Sequence, residues 1–340
     1  MAIKTNENIM KNILIIFIIF FGVSSCKTLQ NKSKEKALVS EDIILFNKGV
    51  SIYEVVKELY LEDKIEKIDT LTQKGKIKYE ILVDEKESIL DLAFEKFEEY
   101  TEKYPKSKLY HKALYNLAQI SSQIEYYEDE EIKYLNLILS SDANDKENSG
   151  RSGLMSNPYA NFKNEASKRL TEIYIEKEDF KKALEYAELN KKYPYQHFCG
   201  NAIEADEIYN AETYGRIYYG LGNTKKALDF LLPKIFENGF ASNSSLVELT
   251  YSILLKEFKL PYLKNEFSKS IQNFYSKKST EYTIERNLYY IKFLENEIEI
   301  PNWTLFVEYD RTIKEKDIEK IIKQTEFYKK LNKEKAHNKD

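Results

Sequence analysis

A spacing recurs between Glu165 and Gly239. Its first copy reads Leu170-x3-Tyr174-x8-Ala183, and its second reads Tyr214-Gly215-x2-Tyr218-x8-Ala227. Each copy splits into two short helical periodicities. Leu170, Ile173 and Tyr174 open the first, and Tyr214, Ile217, Tyr218 and Leu221 open the second, three and four residues apart as one face of a helix requires. The breaks are Glu178-Asp179 and Gly222-Asn223-Thr224. Gly and Asn tolerate positive φ and end a helix at low cost. Ala183 and Ala227 then fall where the second helix crosses the first. A small side chain there lets two helices approach to about 8–10 Å.

The pattern resembles the tetratricopeptide repeat, a helical hairpin of about 34 residues. Ala183 and Ala227 match the small residue of its second helix, Tyr174 and Tyr218 its first-helix aromatic, and Gly215 its helix-packing glycine. The two alanines are separated by about ten residues more than the repeat length, and the excess falls in YPYQHFCGNAIE. The resemblance implies an all-α chain, a solenoid of about 4–5 helical hairpins, with a signal segment before it and a capping region after it. The stretch YPKSKLYHKALYNLA is similar to tetratricopeptide lipoproteins of the outer-membrane-assembly and envelope-coordination type, over about 85–140.

The chain opens on a basic start, an apolar run from Ile13 to Val23, and Ser24-Ser25-Cys26. The run is too short to span about 30 Å of hydrocarbon as a helix. Its form is that of a secretion signal. Val23-Ser24-Ser25-Cys26 resembles the bacterial lipobox, which implies cleavage before Cys26 and a diacylglycerol on its sulfur; an ordinary signal with an incidental cysteine is the alternative. Lys27 follows where the resemblance would place Asp for inner-membrane retention, so the outer membrane facing the periplasm is expected. Residues 26–40 read as a polar tether. No other cofactor is expected.

Charged residues make up 32 % of the chain and nearly balance, leaving a formal charge of −4. That balance excludes a polyanionic tail and argues against nucleic acid, whose phosphates need a basic footprint. Once Cys26 is lipidated, Cys199 is the one remaining thiol and no intrachain disulfide framework is possible.

Region 41–84 reads as an N-terminal helix over about 44–67 and an extended segment over 75–83, where Ile77, Tyr79, Ile81 and Val83 alternate with polar residues, with a helix there as the alternative. Asp84 with Glu87 reads as a capping box. Region 85–140 holds hairpins. Ala93, Phe97 and Pro105 mark one helix, Ser107 caps the next, and Leu114, Leu117 and Ala118 face inward. Tyr134, Leu135, Ile138 and Leu139 follow, with Glu130 or Glu131 in the repeat's alanine slot. Glu128–Glu131 reads as a solvated helix start rather than a cation site. Residues 141–158 are polar and aperiodic, a flexible insert. Region 159–240 holds the two clear hairpins. In the divergent region 241–340, Leu246–Phe258 and Tyr262–Phe274 read as another hairpin, 279–299 is ambiguous between helix and strand, Trp303, Phe306 and Val307 cover the last hairpin, and Ile318, Ile321, Ile322, Thr325 and Leu331 stripe a final helix.

No G-x-S-x-G, H-E-x-x-H, P-loop or dinucleotide glycine pattern is present, so no catalytic residue is assigned and an enzyme is not expected. His197 and Cys199 lack the partners a metal site needs. The resemblance implies a non-catalytic interaction scaffold for an envelope protein or peptide. Its groove positions fall at Lys112, Asn116 and Gln119, then Lys168, Glu172 and Ile175, then Tyr209, Glu212, Arg216 and Tyr219. The alternative is a glycan- or nutrient-binding lipoprotein stacking sugars on some of its 27 tyrosines.

Overall fold

The computed structural model describes residues 40–301 and 315–333, apart from 60, 69, 71, 151–156, 198–199, 238–241 and 282–283. Cys26 with its leader and tether, Cys199, and Trp303, Phe306 and Val307 lie outside the described residues. The chain is mostly helical, but it is not all-α: a three-stranded antiparallel sheet stands between the long run of helices and the last two. Among the described residues, no helix is long and apolar enough to cross a membrane.

Two helices, α1 (Glu41–Glu58) and α2 (Leu61–Glu66), stand where one was expected. The next, α3 (Gln73–Lys103), takes the helical alternative at 75–83 over the favoured extended one, and corrects the capping box. The alternation at 75–83 is helical: Ile77, Tyr79 and Ile81 are 50, 41 and 52 % exposed, and the described strands all lie beyond residue 274. An extended segment with no partner strand would leave its backbone groups unpaired, which a helix avoids. The helix is capped by Thr72, whose hydroxyl accepts from the Gly75 N–H at 3.0 Å. Asp84 and Glu87 therefore sit mid-helix and cap nothing. The buried side of α3 starts at Leu90 and continues through Ala93, Phe97 and Tyr100. Phe97 and Tyr100 meet the Phe46 ring of α1 edge-on.

Pro105 separates α3 from α4 (Tyr110–Ser121), as its missing N–H predicts. Ser107 does not cap α4; Leu109 occupies that position without a side-chain bond. The Ser107 hydroxyl instead accepts from Tyr100 and donates to Asp42, both at 2.7 Å, tying the start of α1 to the α3–α4 corner.

Three hairpins follow: α4 with α5 (Glu128–Ser140), α6 (Phe162–Glu176) with α7 (Phe180–Asn190), and α8 (Gly200–Gly220) with α9 (Thr224–Leu231). Each helix also packs on the next along the chain. The turns use the residues that the spacing singled out. Glu178 and Gly222 take φ of 56° and 75°, and Asp179 and Asn223 accept from the backbone N–H groups of Lys182 and Lys226 at 3.2 and 3.1 Å. Ala183 and Ala227 are fully buried. A Cβ on Gly215 would lie 2.6 Å from the Leu231 side chain, so the close approach of α8 and α9 requires glycine. The excess residues between the hairpins divide between a strap at 193–197 and a longer first helix: α8 has 21 residues against 15 in α6.

The described parts of the 141–158 insert are tied down. The Asp145 carboxylate accepts from the N–H groups of Lys163 and Asn164 at 2.7 and 3.1 Å, capping α6 from a distance. Backbone bonds join Ala160 to Glu147 and Ser149 to Pro158, each at 2.8 Å.

After a 3-10 turn at Leu232–Lys234 come α10 (Ser244–Glu257) and α11 (Leu260–Gln272). They do not pair chiefly with each other as the expected hairpin: α10 packs on α8 and on a later helix, and α11 on the sheet. The strands are β1 (Tyr275–Glu281), β2 (Ile284–Phe293) and β3 (Asn296–Ile300), in the order β1-β2-β3. Tyr289 pairs with Ile300 and Ile291 with Ile298. Tyr289, Ile291, Phe293, Ile298 and Ile300 are buried, while Lys292, Glu297 and Glu299 face out, the alternation of a sheet covered on one side. The final stripe divides into α12 (Glu315–Gln324) and α13 (Glu326–Lys333), broken at Thr325, whose hydroxyl donates to the Ile322 carbonyl at 2.7 Å and accepts from the Tyr328 N–H at 3.3 Å. Ile318, Ile322 and Leu331 are buried against the sheet lobe, and α13 is the later helix that α10 meets.

Candidate partner-binding face

Helical spacing sets which expected groove residues share a face. Lys168, Glu172 and Ile175 lie four and three apart on α6, and Tyr209, Glu212, Arg216 and Tyr219 follow three and four apart on α8. The structure brings the first of these together. The Lys168 ammonium sits between two tyrosine rings, 5.0 Å from the Tyr195 centroid and 4.8 Å from that of Tyr209. It also pairs with the Asp206 carboxylate. Tyr209 donates to Glu172 Oε1 at 3.0 Å. Burial first, and then the Glu172 charge, push the Tyr209 hydroxyl well above its ordinary pKa, so it stays protonated and donating.

Beside this cluster lies an ion pair between a buried carboxylate and a half-buried guanidinium that joins two hairpins. Arg169 reaches Glu131 of α5 through Nε at 2.6 Å and Nη2 at 3.3 Å, with Glu172 and Glu176 at 3.6 and 3.7 Å from Nη1. The hydrogen bond to Glu131 raises the pKa of Arg169. A carboxylate that is 4 % exposed requires such a partner, because an unpaired charge there would be strongly destabilising. Glu131 occupies the slot that an alanine fills in the other two hairpins. A charge in a packing slot is itself a signal that a cation must come from elsewhere; the sequence shows the first half of that inference and not which arginine supplies it.

The remaining expected positions form separate patches. Glu212 pairs with Arg216 and accepts from Ser245 at 2.8 Å; Arg216 is exposed. Tyr219 lies under Lys256, whose Nζ is 5.6 Å from the ring centroid. Ile175 is half-buried against the Ala183–Ala227 cluster. Lys112, Asn116 and Gln119 are half-buried on α4, with Lys112 beside Gly150 of the insert.

Tyr195 and Asp206 escaped the sequence reading because they belong to the strap and to the extension of α8, outside the repeat pattern. The strap is held by amides. Asn161, itself left-handed at φ 53°, donates to the Gln196 carbonyl at 2.9 Å and accepts its N–H at 2.7 Å. Asn157 donates to the Tyr195 hydroxyl at 2.8 Å, and Asn164 to the Tyr193 carbonyl at 2.6 Å. These bonds fix the Tyr195 ring over Lys168.

No family model, curated protein or solved structure matches this chain.

Elsewhere, a cavity of about 390 Å³ opens between α11 and α12–α13, lined by Phe267, Ile271, Lys264 and Lys323 among others. Among the described residues, no group of three or more His, Cys, Asp or Glu side chains is placed to hold a metal ion. The first helices carry charged and half-buried aromatic side chains. Much of that charge is already paired within the chain.

Proposed function

We propose that this protein is a lipid-anchored protein of the bacterial envelope, whose hairpins form a tetratricopeptide-like solenoid that serves as a non-catalytic scaffold for another envelope protein or peptide. The observation that carries this reading is the tandem of α6–α7 and α8–α9: the alanines at both crossings are fully buried, the turns share one chemistry, and charged and aromatic side chains gather on the first helices. Mixed charge with aromatics suits an extended segment or a partner helix. The anchor at Cys26 rests on the sequence pattern, as does the outer-membrane location. The glycan alternative draws less support, since Tyr174 stacks on Tyr186, and Tyr214 and Tyr218 stack on Phe230, which leaves those rings as packing.

The test is a crosslinking capture from isolated envelopes with the chain tagged at its C-terminus. Arg216→Glu is the more informative variant, because Arg216 is exposed and its pair with Glu212 stays within α8, whereas Lys168→Glu would break the pair with Asp206 that joins α6 to α8. One defined protein lost on Arg216→Glu supports the scaffold, and an unchanged capture pattern removes the face from consideration. Radiolabelled acyl incorporation lost on Cys26→Ser supports the anchor, and incorporation in that variant rejects it.

A further inference from the structure

The N-terminal half of α3 carries a second apolar stripe that the fold does not use. No residue of α3 before Leu90 is buried. On one side Leu82, Val83 and Ile89 are half-covered and lead into the core. On the other, Lys74, Ile77, Ile81, Asp84 and Ser88 are all exposed, at alternating spacings of three and four. That is the spacing of a coiled-coil seam. A surface helix needs one apolar face; two exposed isoleucines, 50 and 52 % accessible, on the opposite face mark a place for another helix.

The charges indicate which helix. They sort by sign along this half of α3: Lys74, Lys76 and Lys78 come first, then Glu80, Asp84, Glu85 and Glu87, with Lys86 the one exception. The first turn holds no acid, so lysines sit at the positive end of the helix dipole, where acids from outside would relieve them. A second copy laid antiparallel, about a two-fold axis midway between Ile77 and Ile81, supplies them. Ile77 then meets the partner's Ile81 and Lys74 the partner's Asp84, while Lys78 lies on the flank that also carries Glu85 and so faces the partner's Glu85. The same contacts repeat on the other side of the axis, as an isologous interface demands. Parallel docking would set like charges together. An anionic lipid surface fits less well, because Glu80, Asp84 and Glu85 are exposed on or beside the same stripe.

We propose that residues 73–88 of α3 are a self-association surface through which two copies of this chain pair as antiparallel helices. The seam is short, so pairing is concentration-dependent rather than obligate. This inference does not require the lipid anchor or the first-helix groove.

Sedimentation velocity of the full chain in density-matched detergent, over a wide concentration series, tests it. The Ile77→Asp/Ile81→Asp double variant should weaken dimerisation by about tenfold or more. Lys74→Glu/Lys78→Glu and Asp84→Lys/Glu85→Lys should each weaken it alone, and a mixture of those two charge variants should restore a dimer. Because every altered position is exposed, circular dichroism should show folding unchanged. A monomer at all concentrations overturns the proposal, as does a dimer indifferent to Ile77 and Ile81, or a mixture that fails to re-pair. Binding to phosphatidylglycerol vesicles by the monomer, lost with the lysine variants and strengthened with the acidic-to-lysine ones, would overturn it in favour of a membrane contact.

Discussion

Between α6 and α9 the helices meet through alanine and tyrosine, whereas beyond Phe236 they meet through isoleucine, leucine and phenylalanine. The cluster around Ala183, Ala227, Tyr214 and Tyr218 is small, and its rings stack nearly parallel. The C-terminal cluster is larger and gathers side chains from α8, α9, α10, α11, the sheet and α12–α13, with Phe267 at its centre against Phe236, Phe293 and Phe327. The difference teaches where each part takes its stability. The hairpins depend on close backbone approach, which one oversized residue destroys. The lobe depends on buried volume contributed by segments distant in sequence.

The comparison can be broken from its large end first. Phe267→Ala should cost about 3–5 kcal/mol, since it removes a buried ring from the centre of the lobe. Hydrogen exchange should then quicken across α10–α13 and the sheet while α4 and α5 keep their protection. Equal loss in α4 and α5 would show the two regions unfolding as one unit.

Ala183→Leu and Ala227→Leu test the opposite failure. Each should cost about 1–3 kcal/mol through overpacking, a fall of roughly 2–4 °C in melting temperature per kcal/mol for a chain of this size. Thermal melts that match the wild type would remove close approach as the basis of the hairpins.

The sheet offers a smaller effect of opposite sign. Leu294 and Glu295 join β2 to β3 with φ of 47° and 67°, the paired positive values of a type I′ hairpin turn. Glu295 is exposed, and glycine would remove its left-handed strain. Glu295→Gly should raise stability by about 0.5–1 kcal/mol in chemical denaturation; a loss would mean the glutamate makes a contact worth more than its strain.

The smallest effect is a slope with pH. Burial pushes the Glu237 carboxyl above its ordinary 4.5, against the pull of Lys234. The folded chain then holds that proton to higher pH than the unfolded chain, so stability declines as pH rises above 4.5. Glu237→Gln should flatten that part of a denaturation-against-pH profile. An unchanged slope would assign it to other groups.

The same contrast explains what the sequence disclosed. The hairpin turns at Glu178–Asp179 and Gly222–Asn223 were legible because their chemistry is local: a left-handed residue followed by a side chain that caps the next helix. The turn at Leu294–Glu295 has the same backbone requirement but neither Asn nor Gly to announce it, and so the sheet stayed ambiguous. The alternation of Ile77, Tyr79 and Ile81 favours a strand, but a strand needs a partner, and the described strands all lie beyond residue 274. At the candidate face, first-helix spacing placed Lys168, Glu172 and Tyr209 together. The pairs Glu131–Arg169 and Lys168–Asp206 each span 38 positions, which no local pattern encodes.

The amide-bound strap between α7 and α8 has a mechanical consequence. Asn161 grips the main chain of Gln196 with two hydrogen bonds side by side, Asn157 donates to the same Gln196 carbonyl and to the Tyr195 hydroxyl, and Asn164 holds the Tyr193 carbonyl. A pull that separates the two hairpins is carried by these bonds in parallel, so they share the load and yield together. Tension between the hairpins is thus shared by three asparagines on the α6 side with the helix packing that includes the Tyr214 bond to the Ala187 carbonyl.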